Sequence, residues 1–193
     1  MKLNKKPFLY IIGKILLGPI FKLYYHPKII GKENILKNGP IIIACNHKHL
    51  YDQCHILIST KRMIHYMAKK EYFDNKKVAW FFKGTGCISV DRSKKDLESV
   101  EKALTVLKSG GAIGIFPEGT RNRTDKLLLP FKFGAVSLAT KTDAYIVPVG
   151  ISGDYKFRSK NLIVRIGKPF KVGSDLEKAN EKLYQEIKKL IEE

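Results

Sequence analysis

Two separate segments of this chain carry side chains whose types and spacing suit proton transfer beside an anion. His47 stands five residues before Asp52, and a carboxylate that binds one imidazole nitrogen leaves the other nitrogen to accept a proton. Farther along, the segment 116–121 reads Phe-Pro-Glu-Gly-Thr-Arg. Its Gly119 permits a tight turn of exposed main-chain N–H groups, and Arg121 can bind a phosphate through two parallel hydrogen bonds. Together the two segments predict a general base, its orienting acid and an anion site.

The elements around His47 decide whether it can meet Asp52. An apolar, β-branched run at 41–45 predicts a buried strand just before the histidine, and Ile56 and Leu57 predict a helix after the aspartate. On one continuous helix, a spacing of five residues would separate the side chains by about 140°. We therefore expect His47 in the loop and Asp52 in the first turns of the helix. Such a pair is the histidine–aspartate half of a serine-hydrolase triad, with the substrate's own hydroxyl in place of the serine.

A histidine and a nearby aspartate also occur together by chance, so plainer interpretations stay open. His49, His55 and His65 are expected to be surface or hydrogen-bonded residues. The turn at 116–121, taken alone, could be a simple strand exit with a solvated arginine. A zinc cluster is a further alternative, but its cysteines form no Cys-x-x-Cys pair and no second ligand cluster follows. That cluster would consist of Cys45, His47, His49, Cys54 and His55.

With both segments in view, the chain resembles the glycerolipid acyltransferase family, whose best-known members are the 1-acyl-glycerol-3-phosphate acyltransferases. Asn-His-x4-Asp at 46–52, followed by Phe-Pro-Glu-Gly-Thr-Arg, is specific to this family as a pair. Two weaker segments, 86–92 and 146–151, are similar to the family's middle and last blocks, and 68–72 is similar to its short basic segment. The resemblance spans about residues 30–170. The residues between the histidine and the aspartate are less usual for the family, which bears on acceptor preference rather than on the chemistry.

This resemblance implies transfer of an acyl group from acyl-CoA or acyl carrier protein to the free hydroxyl of 1-acyl-glycerol-3-phosphate, which gives phosphatidic acid in phospholipid biosynthesis. His47 is the implied base and Asp52 orients it, and the acyl group passes directly to the acceptor without an acyl-enzyme, a cofactor or a metal. A carboxylate is unusual beside a phosphate, so Glu118 is expected to bond the glycerol region or to hold Arg121 in place. The implied substrate-binding residues are Lys69, Arg92, Glu118, Gly119, Thr120 and Arg121.

Two alternatives remain from the sequence. Within the enzyme class, the acceptor could be glycerol-3-phosphate or another lysophospholipid. From a different class, the chain could be a non-catalytic basic module that binds an anionic membrane or a nucleic acid. The combination of His47, Asp52 and the distant Arg121 favours the enzyme, because a binding module does not require a base and its orienting acid.

The composition of the chain limits the kinds of partner that it is expected to bind. The 193 residues carry a formal net charge of +18, so we expect an anionic partner such as an anionic membrane surface, an acidic carrier or a nucleic acid. The lysines are spread along the chain and no nucleic-acid-binding motif is present, so a membrane surface is favoured and no nucleic acid is expected. Three cysteines at irregular spacing predict reduced thiols in a cytosol-facing protein.

The N-terminal segment adds apolar surface to this charge. Residues 1–32 contain seven lysines and no acidic residue. The apolar runs fall short of the ~18 residues that a spanning helix needs, and Gly18-Pro19 is expected to kink or break the helix. We therefore expect residues 1–28 to form an amphipathic helical segment in the membrane interface, on the cytoplasmic face of the cell membrane. The alternative is a helix packed on the domain's own core. A narrow polar stripe recurs at Lys6, Tyr10, Lys14, Gly18 and Lys22.

The remaining patterns predict one layered α/β domain over residues 29–193, with a mostly parallel central sheet flanked by helices. Helix-like periodicity occurs near 7–25, 50–59, 97–109, 131–141 and 175–192. Strand-like runs occur near 41–45, 63–68, 86–90, 112–116, 145–151 and 161–166. Each of the family-like blocks then lies at a strand end or just beyond it.

Overall fold

A seven-stranded sheet forms the centre of the protein, in a computed structural model that describes residues 7–193. The strands are β1 (Lys28–Ile30), β2 (Ile41–Cys45), β3 (Ile64–Lys69), β4 (Ile88–Val90), β5 (Ala112–Ile115), β6 (Tyr145–Ser152) and β7 (Ile163–Ile166). Their order across the sheet is β1-β7-β6-β2-β5-β3-β4. Every pairing is parallel except that between β6 and β7. The predicted mostly parallel α/β sheet is therefore confirmed.

Helices connect the strands and flank the sheet. They are α1 (Phe8–Ile12), α2 (Gly18–Tyr25), α3 (Asp52–Ser59), α4 (Glu71–Asp74), α5 (Ala79–Gly84), α6 (Leu97–Lys108), α7 (Gly134–Thr142) and α8 (Leu176–Glu192). All five predicted helical regions contain a helix, with ends that differ from the prediction by at most three residues. The sequence patterns missed β1, α4 and α5, because segments this short do not show a period.

The two faces of the sheet bury separate apolar clusters, and β2 contributes to both. Ile42 and Ala44 pack on one face, beneath α6, α7 and α8. Ile41 and Ile43 pack on the other face, where Ile56 of α3 joins them. Burial on both faces is the reason that β2 reads as a continuous apolar run. The loop that leaves β2 therefore starts from a fixed point in the middle of the sheet.

The sheet topology brings the segments of chemical interest to one edge. Strands β2 and β5 are parallel neighbours, with Ala44 opposite Ile115. Because the two strands run in the same direction, the loops that follow them leave from the same edge, where open α/β sheets bind ligands. The parallel strands β3, β4 and β6 also end at this edge. The chain after each of these strands can therefore contribute to one site.

The N-terminal helix, Phe8–Tyr25, is continuous through Gly18 and Pro19, so of the expected kink or break the structure contradicts the break. A π-helical segment, Gly13–Leu17, joins α1 to α2, and Pro19 lies in the first turn of α2, where its missing N–H group is tolerated. With 18 residues, this helix is long and apolar enough, by length and composition, to cross a membrane. The sequence analysis ended the apolar run at Lys14 and so counted a shorter segment, whereas the helix continues past this lysine.

The polar stripe of the N-terminal helix faces the domain. The Tyr10 hydroxyl donates a hydrogen bond to the Arg62 carbonyl at 3.0 Å and accepts one from the Ile64 N–H at 3.1 Å. Lys14 donates to a backbone carbonyl just after α3, and Lys6, the first residue of the predicted stripe, lies outside the described residues. Tyr10, Lys14 and the buried Gly18 of the stripe therefore face the protein, whereas Lys22 is exposed, and most of the apolar side points outward. Exposed residues on the apolar side are Phe8, Ile15, Leu16, Ile20 and Leu23.

Candidate active site

His47 and Asp52 meet in the way that their spacing predicted. His47 lies in the loop after β2, and Asp52 is the first residue of α3. The His47 Nδ1 atom lies 2.8 Å from Asp52 Oδ2, so the carboxylate accepts a hydrogen bond when Nδ1 carries the proton. The second ring nitrogen, Nε2, is then the proton acceptor. The imidazole stacks on Phe116 with 4.0 Å between ring centroids, which holds its plane, and His47 lines a large cavity.

Asp52 is fully buried and accepts two hydrogen bonds besides that of His47. The backbone N–H of His49 donates to Oδ2 at 2.8 Å, and the Tyr155 hydroxyl donates to Oδ1. These donors replace the water that the buried carboxylate has lost. Burial, followed by the Asp52 charge, raises the pKa of Tyr155, so this hydroxyl keeps its proton and remains a donor. No pattern in the sequence pointed to Tyr155, which lies in the segment after β6.

Asn46 fixes the start of the loop that carries His47. Its buried side-chain amide donates to the Ile151 carbonyl at 2.9 Å and accepts from the Ile151 N–H at 2.7 Å. The two bonds tie the loop after β2 to β6, the neighbouring strand. Asn46 belongs to the first sequence motif, but its role in holding the loop was not predicted.

Glu118 joins the second motif to the first. Its carboxylate accepts a hydrogen bond from the His47 N–H at 2.7 Å through Oε1 and one from the Leu129 N–H at 2.9 Å through Oε2. The Asn122 N–H, in the same turn, donates to the His47 carbonyl at 2.6 Å. Burial raises the pKa of Glu118, although these two N–H donors oppose the effect. The structure therefore places Glu118 behind His47, on backbone groups, rather than on Arg121 as one expectation had it.

The turn after Glu118 presents cationic side chains. Gly119 has a φ of 71°, and a Cβ atom there would lie 2.8 Å from Lys132 Cε, so only glycine fits without displacing that lysine. Arg92 donates from Nη1 to the Gly119 carbonyl at 2.5 Å, which links the loop after β4 to this turn. Within the described residues, the Arg121 guanidinium forms no hydrogen bond or ion pair. Arg121 can therefore bind a ligand without losing a partner.

One cavity of about 1370 Å³ connects the His47–Asp52 pair to these cations. Its cationic lining residues are Lys69, Arg92, Lys94, Arg121, Arg123 and Lys132. Apolar residues of its wall include Leu9, Leu17, Ile58, Met67, Val78 and Phe82. Of the predicted substrate-binding residues, Glu118 alone is not among those that line the cavity, whereas Gly119 and Thr120 line it with the three predicted cations. The cavity can therefore hold a molecule that has both an anionic group and a long apolar part.

Burial makes His55, Cys45 and Cys54 poor candidates for the role of base or nucleophile. Burial lowers the pKa of His55 to about 4, and it raises the pKa of Cys54 to about 11 and that of Cys45 well above its usual range. His49 stacks on Tyr155 with 4.0 Å between ring centroids. No group of three or more His, Cys, Asp or Glu side chains within residues 7–193 is arranged to hold a metal ion.

Comparisons with known proteins agree with this geometry. A family model described as Acyltransferase matches residues 26–152. The 1-acyl-sn-glycerol-3-phosphate acyltransferase of Bacillus subtilis is 35% identical over 147 residues, which cover 74% of this chain and 72% of that protein. The Saccharomyces cerevisiae protein of the same name is 31% identical over a gapped alignment of 209 positions, which covers 94% of this chain and 64% of that protein.

A solved structure shows the same fold. The 1-acyl-sn-glycerophosphate acyltransferase of Thermotoga maritima superposes with a TM-score of 0.72 and 23% identity, covering 93% of this chain and 80% of that one. The family match includes the His47–Asp52 pair and the turn at 116–121. The match covers more than half of the chain and agrees with relatives over 30% identical, and the chain therefore belongs to the acyltransferase family of enzymes.

Proposed function

We propose that this enzyme transfers an acyl group from an acyl thioester to the free hydroxyl of 1-acyl-glycerol-3-phosphate, which gives phosphatidic acid in phospholipid biosynthesis. The observation that carries the proposal is that the His47–Asp52 pair opens into a cavity with both a cationic and an apolar wall. A lysophosphatidic acid has the matching chemistry, since it combines a phosphate, a hydroxyl and an acyl chain. The Bacillus subtilis and Saccharomyces cerevisiae relatives, both named for this acceptor, support the proposal.

The proposed reaction needs one general base, which gives up the proton it has taken before the catalytic cycle ends. His47 Nε2 takes the proton from the acceptor hydroxyl while Asp52 stabilises the imidazolium. The hydroxyl oxygen forms a bond to the thioester carbonyl carbon, and the C–S bond breaks when the tetrahedral intermediate collapses. The leaving thiolate then takes up the proton that His47 holds. No acyl-enzyme forms, in keeping with the raised pKa values of Cys45 and Cys54.

The acceptor phosphate is proposed to bind at the cationic wall. Arg121 supplies a planar guanidinium that can donate two parallel hydrogen bonds to a phosphate. Arg92 is fixed beside it through the Gly119 carbonyl, and Lys69 lines the same cavity. Thr120 adds a hydroxyl on this wall. Glu118 is proposed to act as a positioning residue, because both of its oxygens hold backbone N–H groups.

The acyl donor is proposed to be acyl-CoA or acyl-acyl carrier protein. Both donors are anionic and present their acyl chain as a thioester, so both suit a chain with a net charge of +18. The apolar part of the cavity is the proposed place for fatty acyl chains. Apart from this donor, we expect no cofactor, and no nucleic acid as a partner.

The enzyme is proposed to act on the cytoplasmic face of the cell membrane, through the N-terminal segment 1–28 next to the acyltransferase domain 29–193. The support is the outward-facing apolar side of the helix Phe8–Tyr25. The helix also lines the cavity through Leu9 and Leu17. A lipid that leaves the bilayer beside this helix would therefore reach the cavity without crossing water.

Acyl transfer by the purified protein tests the proposed acceptor and donor together. The two donors are acyl-CoA and acyl-acyl carrier protein, each with a radiolabelled acyl group. Each donor is offered with one of four acceptors: 1-acyl-glycerol-3-phosphate, glycerol-3-phosphate, lysophosphatidylcholine or lysophosphatidylethanolamine. The expected result is that labelled phosphatidic acid is the main product with at least one donor. A preference for another acceptor would replace the proposed one, and binding to anionic vesicles without transfer from either donor would favour a non-catalytic role.

A further inference from the structure

A second apolar surface lies apart from the N-terminal helix, on the segment 71–84 that contains α4 and α5. This segment carries the chain's one tryptophan and four further aromatic residues. Three of its aromatic side chains are exposed, Tyr72 to 40%, Trp80 to 60% and Phe81 to 44%. An aromatic group of this size on a surface marks an interaction site. We call the segment 71–84 the aromatic hairpin.

The rings of the aromatic hairpin support one another rather than enter the core. Phe82 stacks on Tyr72 with 4.8 Å between centroids and meets Phe81 edge-on at 5.5 Å. Trp80 packs edge-on against Phe81 at 6.1 Å, and its Nε1 donates to the Lys77 carbonyl at 3.0 Å. The indole is therefore held by its own short helix with most of its surface outward. A ring held in this way can enter a lipid interface without any unfolding of α5.

The charge of the hairpin complements an anionic surface. Lys76, Lys77 and Lys83 are exposed around Trp80, and the part of the hairpin from 75 to 84 contains no acidic residue. The two acidic residues of the hairpin, Glu71 and Asp74, lie in α4, away from the α5 helix that carries Trp80, and Glu71 forms an ion pair with Lys69. Lysines beside exposed Trp and Phe are the composition that binds the interface of an anionic bilayer. A second copy of the chain is a poor partner for this surface, because each copy carries a net charge of +18.

The position of the hairpin ties it to the N-terminal helix and the cavity. The Leu9 side chain packs against Gly84 at the end of α5. On the cavity wall, Leu9 and Leu17 of the N-terminal helix lie with Tyr72 and Phe81 of the hairpin, and His47 lines the same space. The two exposed apolar surfaces therefore border one cavity.

We propose that the aromatic hairpin is a second membrane-contacting element, with Trp80 and Phe81 inserted at the boundary between the headgroups and the acyl chains of an anionic bilayer. Together with the N-terminal helix, the hairpin holds the cavity against the lipid. Acceptor and product therefore pass between the bilayer and the cavity through the space between these two elements. This inference rests on the proposed membrane association, but it does not depend on the identity of the acyl acceptor.

The single tryptophan makes a direct test possible without any substitution. The full-length protein is mixed with equimolar dioleoylphosphatidylglycerol and dioleoylphosphatidylcholine vesicles, with and without bromine on the acyl chains, and Trp80 emission is recorded. Insertion predicts a shift of the emission to shorter wavelength and quenching by the brominated lipid. Co-sedimentation with an unchanged, unquenched Trp80 would overturn this inference alone, whereas failure to sediment would overturn the proposed membrane association as well.

Paired variants test the energetic contribution of the hairpin by co-sedimentation. Trp80→Ser with Phe81→Ser should weaken vesicle binding at least about tenfold, because each inserted ring loses its transfer into the apolar phase. Tyr145→Ser is the matched control, since Tyr145 is an exposed aromatic residue beside a lysine at the opposite edge of the sheet. Equal binding by the paired variant and the wild type, with circular dichroism showing both folded, would contradict the proposal. A loss of binding as large in the control would contradict it too.

Discussion

The carboxylate of Glu118 holds the backbone N–H of His47 at 2.7 Å, although 71 residues separate the two along the chain. The strand register explains the contact. Ala44 of β2 lies opposite Ile115 of β5, and three residues farther along the two parallel chains stand His47 and Glu118. The second motif therefore sets the backbone position of the proposed base, His47, in addition to carrying cations of the candidate site.

Glu118→Gln should lower both stability and turnover. A glutamine offers one acceptor oxygen where the glutamate offers two, so its NH₂ group must face one of the two N–H donors. An unsatisfied buried donor costs about 1–3 kcal/mol, which lowers the Tm by about 2–10 °C, and kcat should fall because His47 moves. Calorimetry and acyl-transfer kinetics check this, with Glu101→Gln on the exposed face of α6 as the control. Wild-type Tm and kcat in Glu118→Gln would show that the contact is dispensable.

Tyr155→Phe should reduce kcat by up to about 10- to 150-fold with little change in KM, because Asp52 loses one of its three donors and a hydrogen bond to a charged group contributes ~1.5–3 kcal/mol. Tyr145→Phe, which removes an exposed hydroxyl far from the site, is the control. An unchanged kcat in folded Tyr155→Phe would leave Tyr155 with a packing role only.

Arg121→Ala should raise the KM of the phosphorylated acceptor about 10- to 150-fold, in line with ~1.5–3 kcal/mol for a charged hydrogen bond, and leave the donor KM unchanged. Arg121→Lys should restore only part of this loss, because an ammonium cannot donate two parallel hydrogen bonds. Lys178→Ala on the exposed face of α8 controls for the change in net charge. If both Arg121 variants keep the wild-type acceptor KM, the phosphate binds elsewhere.

His55 should make the fold less stable as the pH falls. It is buried between Phe21 and Tyr155, and neither ring nitrogen has a hydrogen-bond partner within the described residues. Burial lowers its pKa from 6.5 to about 4, so between these values the unfolded chain binds a proton that the native state does not. Stability is therefore lost as the pH drops through this window, by on the order of 3 kcal/mol in total.

His55→Phe removes this proton uptake and keeps a ring of similar shape. Chemical denaturation of both proteins at a series of pH values from neutral to acid gives the comparison. The free energy of unfolding should fall more steeply toward acid pH in the wild type than in His55→Phe. If the free energy of unfolding falls equally steeply with pH in both proteins, His55 does not take up a proton on unfolding in this pH range.

The contacts that the sequence predicted are local, and those that it missed are not. The meeting of His47 and Asp52 follows from a strand, a short loop and a helix start, all within one stretch of chain. The contact of Tyr155 with Asp52 depends on β6 lying beside β2, and that of Glu118 with His47 depends on the register of β5. The periodicity of the sequence predicts neither the order of the strands nor their register.

The N-terminal helix shows the same limit. Its period of four predicted a polar stripe, but a period does not say which side meets the protein. The hydrogen bonds of Tyr10 to the chain around β3 show that the side carrying Tyr10 meets the protein. The period alone could not predict them, because the partner carbonyl of Arg62 lies 52 residues away. The aromatic hairpin was not predicted at all, since α4 and α5 have only four and six residues.

The rate of acyl transfer by His47→Ala tests the central claim most directly. It is measured with the best donor and acceptor at saturation, beside the wild type and the control His26→Asn, an exposed histidine in a left-handed conformation that asparagine tolerates. The account predicts a loss of about 10²–10⁴ in kcat for His47→Ala, as expected for a missing general base, with an unchanged fold and a fully active His26→Asn. Near-normal turnover by folded His47→Ala would contradict the assignment of His47 as the base.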